Sequence, residues 1–267
     1  DKVFALSNHS LFAVDKQSEE LSYYSRLTGL NGAVISTIGY NEALNLLLVC
    51  YDNGQLDVIN AKEEIENVPD LYLKQTNSSK VVNDICMHGH TAYLAMDFGI
   101  LVLDMKKREI KDTYIIGQDA SEVSVKYITT MGDSIYAVSP QLLYAASLSD
   151  PLSDYAYWHS YSLPKGKQVT GLCAYDQQLY IVRDNILWSR NATQWKKQIT
   201  TYPIKKLCKT EQQLFLLPKD NKGAAMVSTD LSLQWQEMGE ISDIAEDGQS
   251  LWFASTELGL VRGSDRQ

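Results

Sequence analysis

The 267-residue chain lacks most of what would mark a membrane, nucleic-acid or metal protein. No apolar run approaches the ~20 residues a membrane-spanning helix needs; the longest, residues 44–51, is the length of a strand. Lys and Arg number 24 against 33 Asp and Glu and form no basic cluster. The net charge of −9 therefore disfavours a nucleic-acid backbone or an anionic membrane surface. Only four cysteines occur, Cys50, Cys86, Cys173 and Cys208, with no CxxC pair and no zinc-ligand spacing. Each sits in an apolar strand pattern and reads as a small buried hydrophobe, so the redox compartment stays open. Histidines also number four: His9, His88, His90 and His159. There is no G-x-S-x-G motif, no serine can be matched to a base and an acid, and no cofactor is expected. A signal peptide is missing too. Asp1 opens almost directly into an apolar strand, as in a fragment or a mature piece.

Helical periodicity is nearly absent as well. What fills the chain instead is a series of apolar runs of four to six residues between Asn, Asp, Gly and Ser turns, the pattern of short antiparallel strands. These runs repeat. Ile38, Ile85, Ile128, Leu172, Leu207 and Ile244 recur about every 41 residues, close to the ~40–45 of a four-stranded propeller blade. Eight residues after each anchor stand Leu46, Tyr93, Tyr136, Tyr180, Phe215 and Trp252, and the next two positions are apolar in all six units. The anchor belongs to an inner first strand and the aromatic opens the second. A hairpin and an apolar third strand follow, then a polar, aromatic outer strand. Second strands apolar at consecutive positions need cover on both sides, which neighbouring blades provide and a two-sheet sandwich does not.

The expected fold is all-β, a seven-bladed β-propeller with incomplete first and last blades, formed by residues 1–267 as one domain. Phe4 takes the aromatic place of a unit whose anchor would precede the chain, and Ile241–Arg262 supplies only three strands. Five complete units and two partial ones make seven. Residues ahead of Asp1 are expected to complete both partial blades.

Candidate sites follow from this layout. The hairpins and blade links at a channel mouth present Asp52, Asn53, Asp97, Phe98, Gln141, Asp184, Asn185, Lys219, Asp220, Thr256 and Glu257. Asp and Asn there suit sugar hydroxyls or a cation, and Lys219 an anionic group; turn geometry accounts for the same residues. The stretch 155–161 reads as a strand with Tyr155, Tyr157, His159 and Tyr161 on one side and Trp158 on the other. It is either a stacking surface or an edge packed on the next blade. His88 and His90 fall in a turn without a third ligand, and Asp15, Ser18, Glu19 and Glu20 lack calcium-loop spacing.

Several segments resemble known propellers. Leu251–Arg262, with its aromatic-led strand and Thr-x-x-Gly-Leu hairpin, and residues 28–41 are similar to repeats of two-component regulator propellers. Residues 5–16, 23–32 and 46–59 resemble the amino-terminal β-propeller of the PorZ family, surface components of the type IX secretion system of Bacteroidota. That resemblance implies the first domain of a longer protein and an extracytoplasmic location, at the cell surface or in the periplasm of a Gram-negative bacterium. It also implies a non-catalytic binding or assembly role. The partners implied are other cell-surface proteins and an anionic glycolipid or oligosaccharide, in surface attachment of secreted proteins or handling of anionic lipopolysaccharide. Nucleic acid and a direct membrane span are not implied. The alternative is a periplasmic oligosaccharide-sensing propeller of a hybrid two-component regulator.

Overall fold

Seven antiparallel meanders hold nearly all the strands of a computed structural model that describes residues 2–191 and 194–263. They fall into two compact units, residues 1–162 and 163–267. The first unit contains four sheets. They are β1–β3 (Lys2–Ser7, Ser10–Asp15, Leu21–Tyr24), β4–β7 (Ile35–Asn41, Leu46–Tyr51, Leu56–Ile59, Ile65–Val68), β8–β11 (Asp84–His88, Thr91–Met96, Gly99–Asp104, Glu109–Tyr114) and β12–β15 (Tyr127–Met131, Ser134–Val138, Leu142–Ser147, His159–Ser162). One turn of helix, α1 (Asp70–Leu73), lies in the link between the second and third sheets. The second unit contains β16–β19 (Val169–Tyr175, Gln178–Arg183, Ile186–Asn191, Gln194–Lys197), β20–β22 (Ile204–Lys209, Leu214–Pro218, Ala225–Met226) and β23–β25 (Ile241–Glu246, Leu251–Ser255, Gly259–Arg262). The fold class is that of a seven-bladed β-propeller, one meander per blade.

The second strands β5, β9 and β21 are covered on both sides because consecutive sheets share them. In the first unit, Leu47 and Val49 of β5 pack with Leu11 and Ala13 of the first sheet. Leu46, Leu48 and Cys50 of the same strand pack with Leu94, Met96 and Leu101 of the third. Tyr93 and Ala95 of β9 then meet Ile135 and Ala137 of the fourth. In the second unit Tyr180 and Val182 pack with Leu214 and Leu216, and Phe215 and Leu217 with Phe253. Adjacent residues on a strand point to opposite faces, so unbroken apolar runs are what this stacking demands.

Register explains the repeat and its exception. Ile85, Ile128, Leu172, Leu207 and Ile244 pair with Leu94, Ala137, Ile181, Leu216 and Phe253, which places each aromatic opposite the residue after its anchor. In β4 and β5, Ile38 pairs with Val49 and Gly39 with Leu48. The turn there is longer, so Leu48 takes the aromatic's station and Leu46 does not. In four first strands a register shift falls at the residue two before the anchor: Ser36, Thr170, Lys205 and Ser242. The hydroxyls of Ser36 and Ser242 donate to the carbonyls of Cys50 (3.1 Å) and Ala254 (3.0 Å).

One expectation is corrected. The unit built on Leu207 is not a complete four-stranded blade. Its third strand has two residues, and an isolated bridge between Ala224 and Gln234 stands in for a fourth. Leu231 (φ 64°) and Trp235 (φ 51°) interrupt any extended strand here. Trp235 is drawn inward, its ring centroid 5.8 Å from that of Phe215 and 5.5 Å from that of Phe253. The sheets at the two ends, β1–β3 and β23–β25, have three strands each, as expected.

A buried carboxylate fastens the link before β4. Asp57 is fully buried and accepts from the Asn31 backbone N–H (2.8 Å), the Asn31 and Asn67 amides (2.9 and 2.8 Å) and the Tyr51 hydroxyl (2.6 Å). Asp57→Ala leaves those donors without their acceptor and is expected to cost about 3–5 kcal/mol. Urea unfolding at pH 7 measures it; a loss under about 1 kcal/mol would show that water replaces the carboxylate.

Candidate functional site

Four of the sequence-selected residues occupy one structural station. After the second strand, the backbone N–H turns back to the residue ahead of the first strand. Asp52 donates to Val34 (3.1 Å), Asp184 to Gln168 (2.9 Å), Lys219 to Pro203 (2.8 Å) and Thr256 to Glu240 (2.9 Å). Two of the four side chains bond within the same turns, those of Asp184 and Thr256, the latter donating from Oγ1 to the Glu240 carbonyl at 3.3 Å. The Asp184 carboxylate accepts from the N–H groups of Lys167 (2.9 Å) and Gln168 (2.8 Å); those backbone bonds, Gln168 foremost, hold it below the usual carboxylate range. Asn53 accepts from the Gln55 N–H (3.0 Å), Gln141 donates its N–H to Ser139 (3.2 Å), and Asp220 adopts φ 60°. Glu257 pairs with Lys222 at 3.0 Å. The Asn185 carbonyl accepts from Ile204 (2.8 Å), where the chain enters the next sheet.

Asp97 is the most engaged of the group. Its Oδ1 accepts from Lys126 Nζ (2.6 Å), Ser124 Oγ (2.6 Å) and Asn83 Nδ2 (3.0 Å). Partial burial works to raise its pKa, but Lys126, Ser124 and Asn83 outweigh it and keep the carboxyl below its ordinary value. Phe98, expected beside it at the surface, is 1% exposed and belongs to the core shared by the second and third sheets. Gly99 makes that inward turn possible. It sits at φ 138°, and a Cβ there would lie 2.1 Å from the Tyr114 carbonyl oxygen.

In the second unit a shallow cleft of about 500 Å³ opens beside Asp184 and Asn185, lined further by Ile186, Lys197, Ile199 and Tyr202. Tyr202 donates to the Leu231 carbonyl (2.6 Å), and burial lifts its hydroxyl to about 12. Ile199 is 89% exposed.

The aromatic stretch is also rearranged. Tyr155–Tyr157 is a 3-10 turn, not a strand, because Asp154 caps it by accepting from the Ala156 N–H (2.9 Å). Trp158 leaves the surface: its ring is buried, its Nε1 donates to the Leu152 carbonyl (2.9 Å), and its centroid lies 6.4 Å from Tyr114. Tyr155, Tyr157 and Tyr161 stay 36–39% exposed. The turn Gln118–Ala120 packs against Tyr155–Tyr157, with Asp119 and Ala120 both at φ 55°.

His88 and His90 flank the β8–β9 turn, and Asp15 accepts from the Gln17 and Ser18 N–H groups (both 2.9 Å). Among the described residues no three His, Cys, Asp or Glu are grouped to hold a metal, and no helix is long and apolar enough to cross a membrane. The four cysteines are in no disulfide and lie in four different sheets.

Comparison with known proteins places this geometry. A model of the PorZ N-terminal β-propeller domain of the type IX secretion system matches residues 3–159. The chain belongs to the PorZ N-terminal β-propeller family. No curated protein matches it in sequence. Among solved structures, PorZ of Porphyromonas gingivalis, described as an essential bacterial surface component of the type IX secretion system, is 24% identical. The TM-score is 0.84, with 98% of this chain and 35% of that one covered. The extracellular domain of BT4673 from B. thetaiotaomicron, assigned to a hybrid two-component system, is 17% identical with a TM-score of 0.67, covering 100% and 37%. A streptogramin B lyase is 13% identical with a TM-score of 0.64, covering 98% and 90%. At these identities the likeness is one of fold. The chain spans little more than a third of the length of the PorZ and BT4673 structures.

The Asp97 cluster gives a pH signature. A carboxyl with a lowered folded pKa stabilises fully above its unfolded value, near ~3.9, and loses that contribution as pH falls through the folded value. Asp97→Asn is expected to lower the urea midpoint at pH 7, with the difference from the native protein shrinking as pH falls through the folded value of Asp97. An unchanged difference at low pH would mean that packing, not charge, holds the link.

Proposed function

We propose that this chain is a non-catalytic binding and assembly module at the cell surface, acting in a PorZ-like manner in type IX secretion. Membership of the PorZ family over residues 3–159 carries the reading. The side chains support it: Asp97 and Asp184 are tied into links by hydrogen bonds, while tyrosines and lysines stand exposed.

The two units differ in charge. Residues 1–162 contain 21 Asp and Glu against 11 Lys and Arg, whereas residues 163–267 contain 12 against 13. An anionic lipopolysaccharide headgroup is therefore assigned to the second unit, where Lys196, Lys197, Lys209 and Lys219 are exposed. Protein partners are assigned to the first unit at Tyr155, Tyr157 and Tyr161. These tyrosines offer rigid amphipathic area at small entropic cost, with Asp154 capping the turn of Tyr155 and Tyr157 and Asp119 on the turn packed against it. A single propeller over residues 1–267, placed first in a longer protein, is part of the same proposal. The second reading, an oligosaccharide sensor, draws on the likeness to BT4673.

The test uses the full-length protein with Tyr157→Ser and Tyr161→Ser together. Capture of outer-membrane proteins is expected to fall at least tenfold, about 1.4 kcal/mol, while the melting temperature moves by no more than about 2 °C. Unaltered capture removes the tyrosines from the site. Binding of neutral oligosaccharides on a glycan array, with no affinity for outer-membrane proteins or anionic lipopolysaccharide, would favour the sensor.

A further inference from the structure

The outer strand of the first sheet, β3, is built for pairing. Sheet edges are normally blunted by charge. β7 carries Glu66, β11 carries Glu109, Lys111 and Asp112, and β19 carries Lys196 and Lys197. β3 is Leu-Ser-Tyr-Tyr, and its Leu21 and Tyr23 are 54% and 68% exposed.

The free backbone groups of β3 lie on that same pair of residues. Asp15 donates its N–H to the Glu20 carbonyl (3.0 Å), and register continues from there as Val14 opposite Leu21 and Ala13 opposite Ser22. Hydrogen-bonded pairs alternate in an antiparallel ladder, so Ser22 and Tyr24 bond inward to β2, and Leu21 and Tyr23 turn their N–H and C=O groups outward. Their side chains share one face with Phe12, whose ring centroid lies 6.4 Å from that of Tyr23.

We propose that β3 pairs antiparallel with β3 of a second copy of this chain. Leu21 then faces the partner copy's Tyr23, each such pair exchanges both backbone bonds, and the Leu and Tyr side chains cover one another. Charge selects the same arrangement. Glu19 and Glu20 precede the strand and Arg26 follows it, all three exposed. Antiparallel pairing brings Arg26 of each copy to the acidic end of the other; parallel pairing would set like charges side by side. Leu27, 99% exposed on a 3-10 turn, adds apolar area at each end. The turn is held by reciprocal bonds between Ser25 and Thr28. One short strand falls below the ~800 Å² per partner of stable interfaces, so the dimer is weak and concentration-dependent.

Sedimentation velocity of the full-length protein over a wide concentration range tests this. The native protein is expected to shift from monomer toward dimer, and Tyr23→Lys to remain monomeric with an unchanged circular dichroism melt, since Tyr23 is exposed. Arg26→Glu is expected to raise the dissociation constant about tenfold, and Arg26→Glu with Glu19→Arg and Glu20→Arg to restore it. A native protein that stays monomeric throughout, or a dimer indifferent to Tyr23→Lys and Arg26→Glu, overturns the proposal.

Discussion

Burial on both faces of second strands such as β5, β9 and β21 is the constraint on which the stacking within each unit depends. A strand such as Leu46–Tyr51, buried at all six positions, cannot end a layer. It needs a sheet on each side, and those sheets carry the same demand onward. Fully burying one Leu is worth about 1.5–3 kcal/mol. Ion pairs that also bridge neighbouring sheets, such as Arg108 with Glu66 and Lys205 with Glu240, are partly solvent-exposed and worth about 0–1 kcal/mol each. Stacking of apolar faces therefore sets the stability.

Entry into each sheet obeys a second rule. Three residues before every anchor stands a buried β-branched residue: Ile35, Val82, Val125, Val169, Ile204 or Ile241. In three of these the N–H reaches back to the previous sheet: Ile35 to His9, Val125 to Met96 and Ile204 to Asn185. The polar residues at the hairpins serve this joinery, with Asp97 and Asp184 clamping the links through side-chain bonds. Exposed tyrosines, lysines and strand edges lie outside this joinery.

Much of this was legible in the chain. The anchors and the aromatics that follow them lie in facing strands, and seven meanders follow from them. The exceptions have local physical causes. The unit after Ile38 was misaligned because a longer turn shifts its ladder, which spacing alone hides. The unit after Leu207 looked complete because turn residues and left-handed backbone at Leu231 and Trp235 are silent in an apolar count. The hairpin position of Phe98 points to the surface, yet an aromatic in a two-residue turn finds room inward when Gly follows. Tyr155 and Tyr157 alternated like a strand, and the Asp154 cap overrode the alternation. Asp57 is the further residue that the apolar pattern hides, although an acid inside Leu-Asp-Val-Ile signals a buried network. The β-branched residue ahead of each anchor was a stronger core marker than the anchor, since Ile38, Ile85 and Leu207 are only partly buried.

Two neighbouring leucines of β5 decide the matter most directly. Leu47 faces the first sheet and Leu48 the third, and each is at most 2% exposed. Leu47→Ala and Leu48→Ala, compared by urea unfolding, should each cost about 2–5 kcal/mol. A loss at one position and under about 0.5 kcal/mol at the other would mean that the strand is covered on one side only, and the stacked-sheet account would fail.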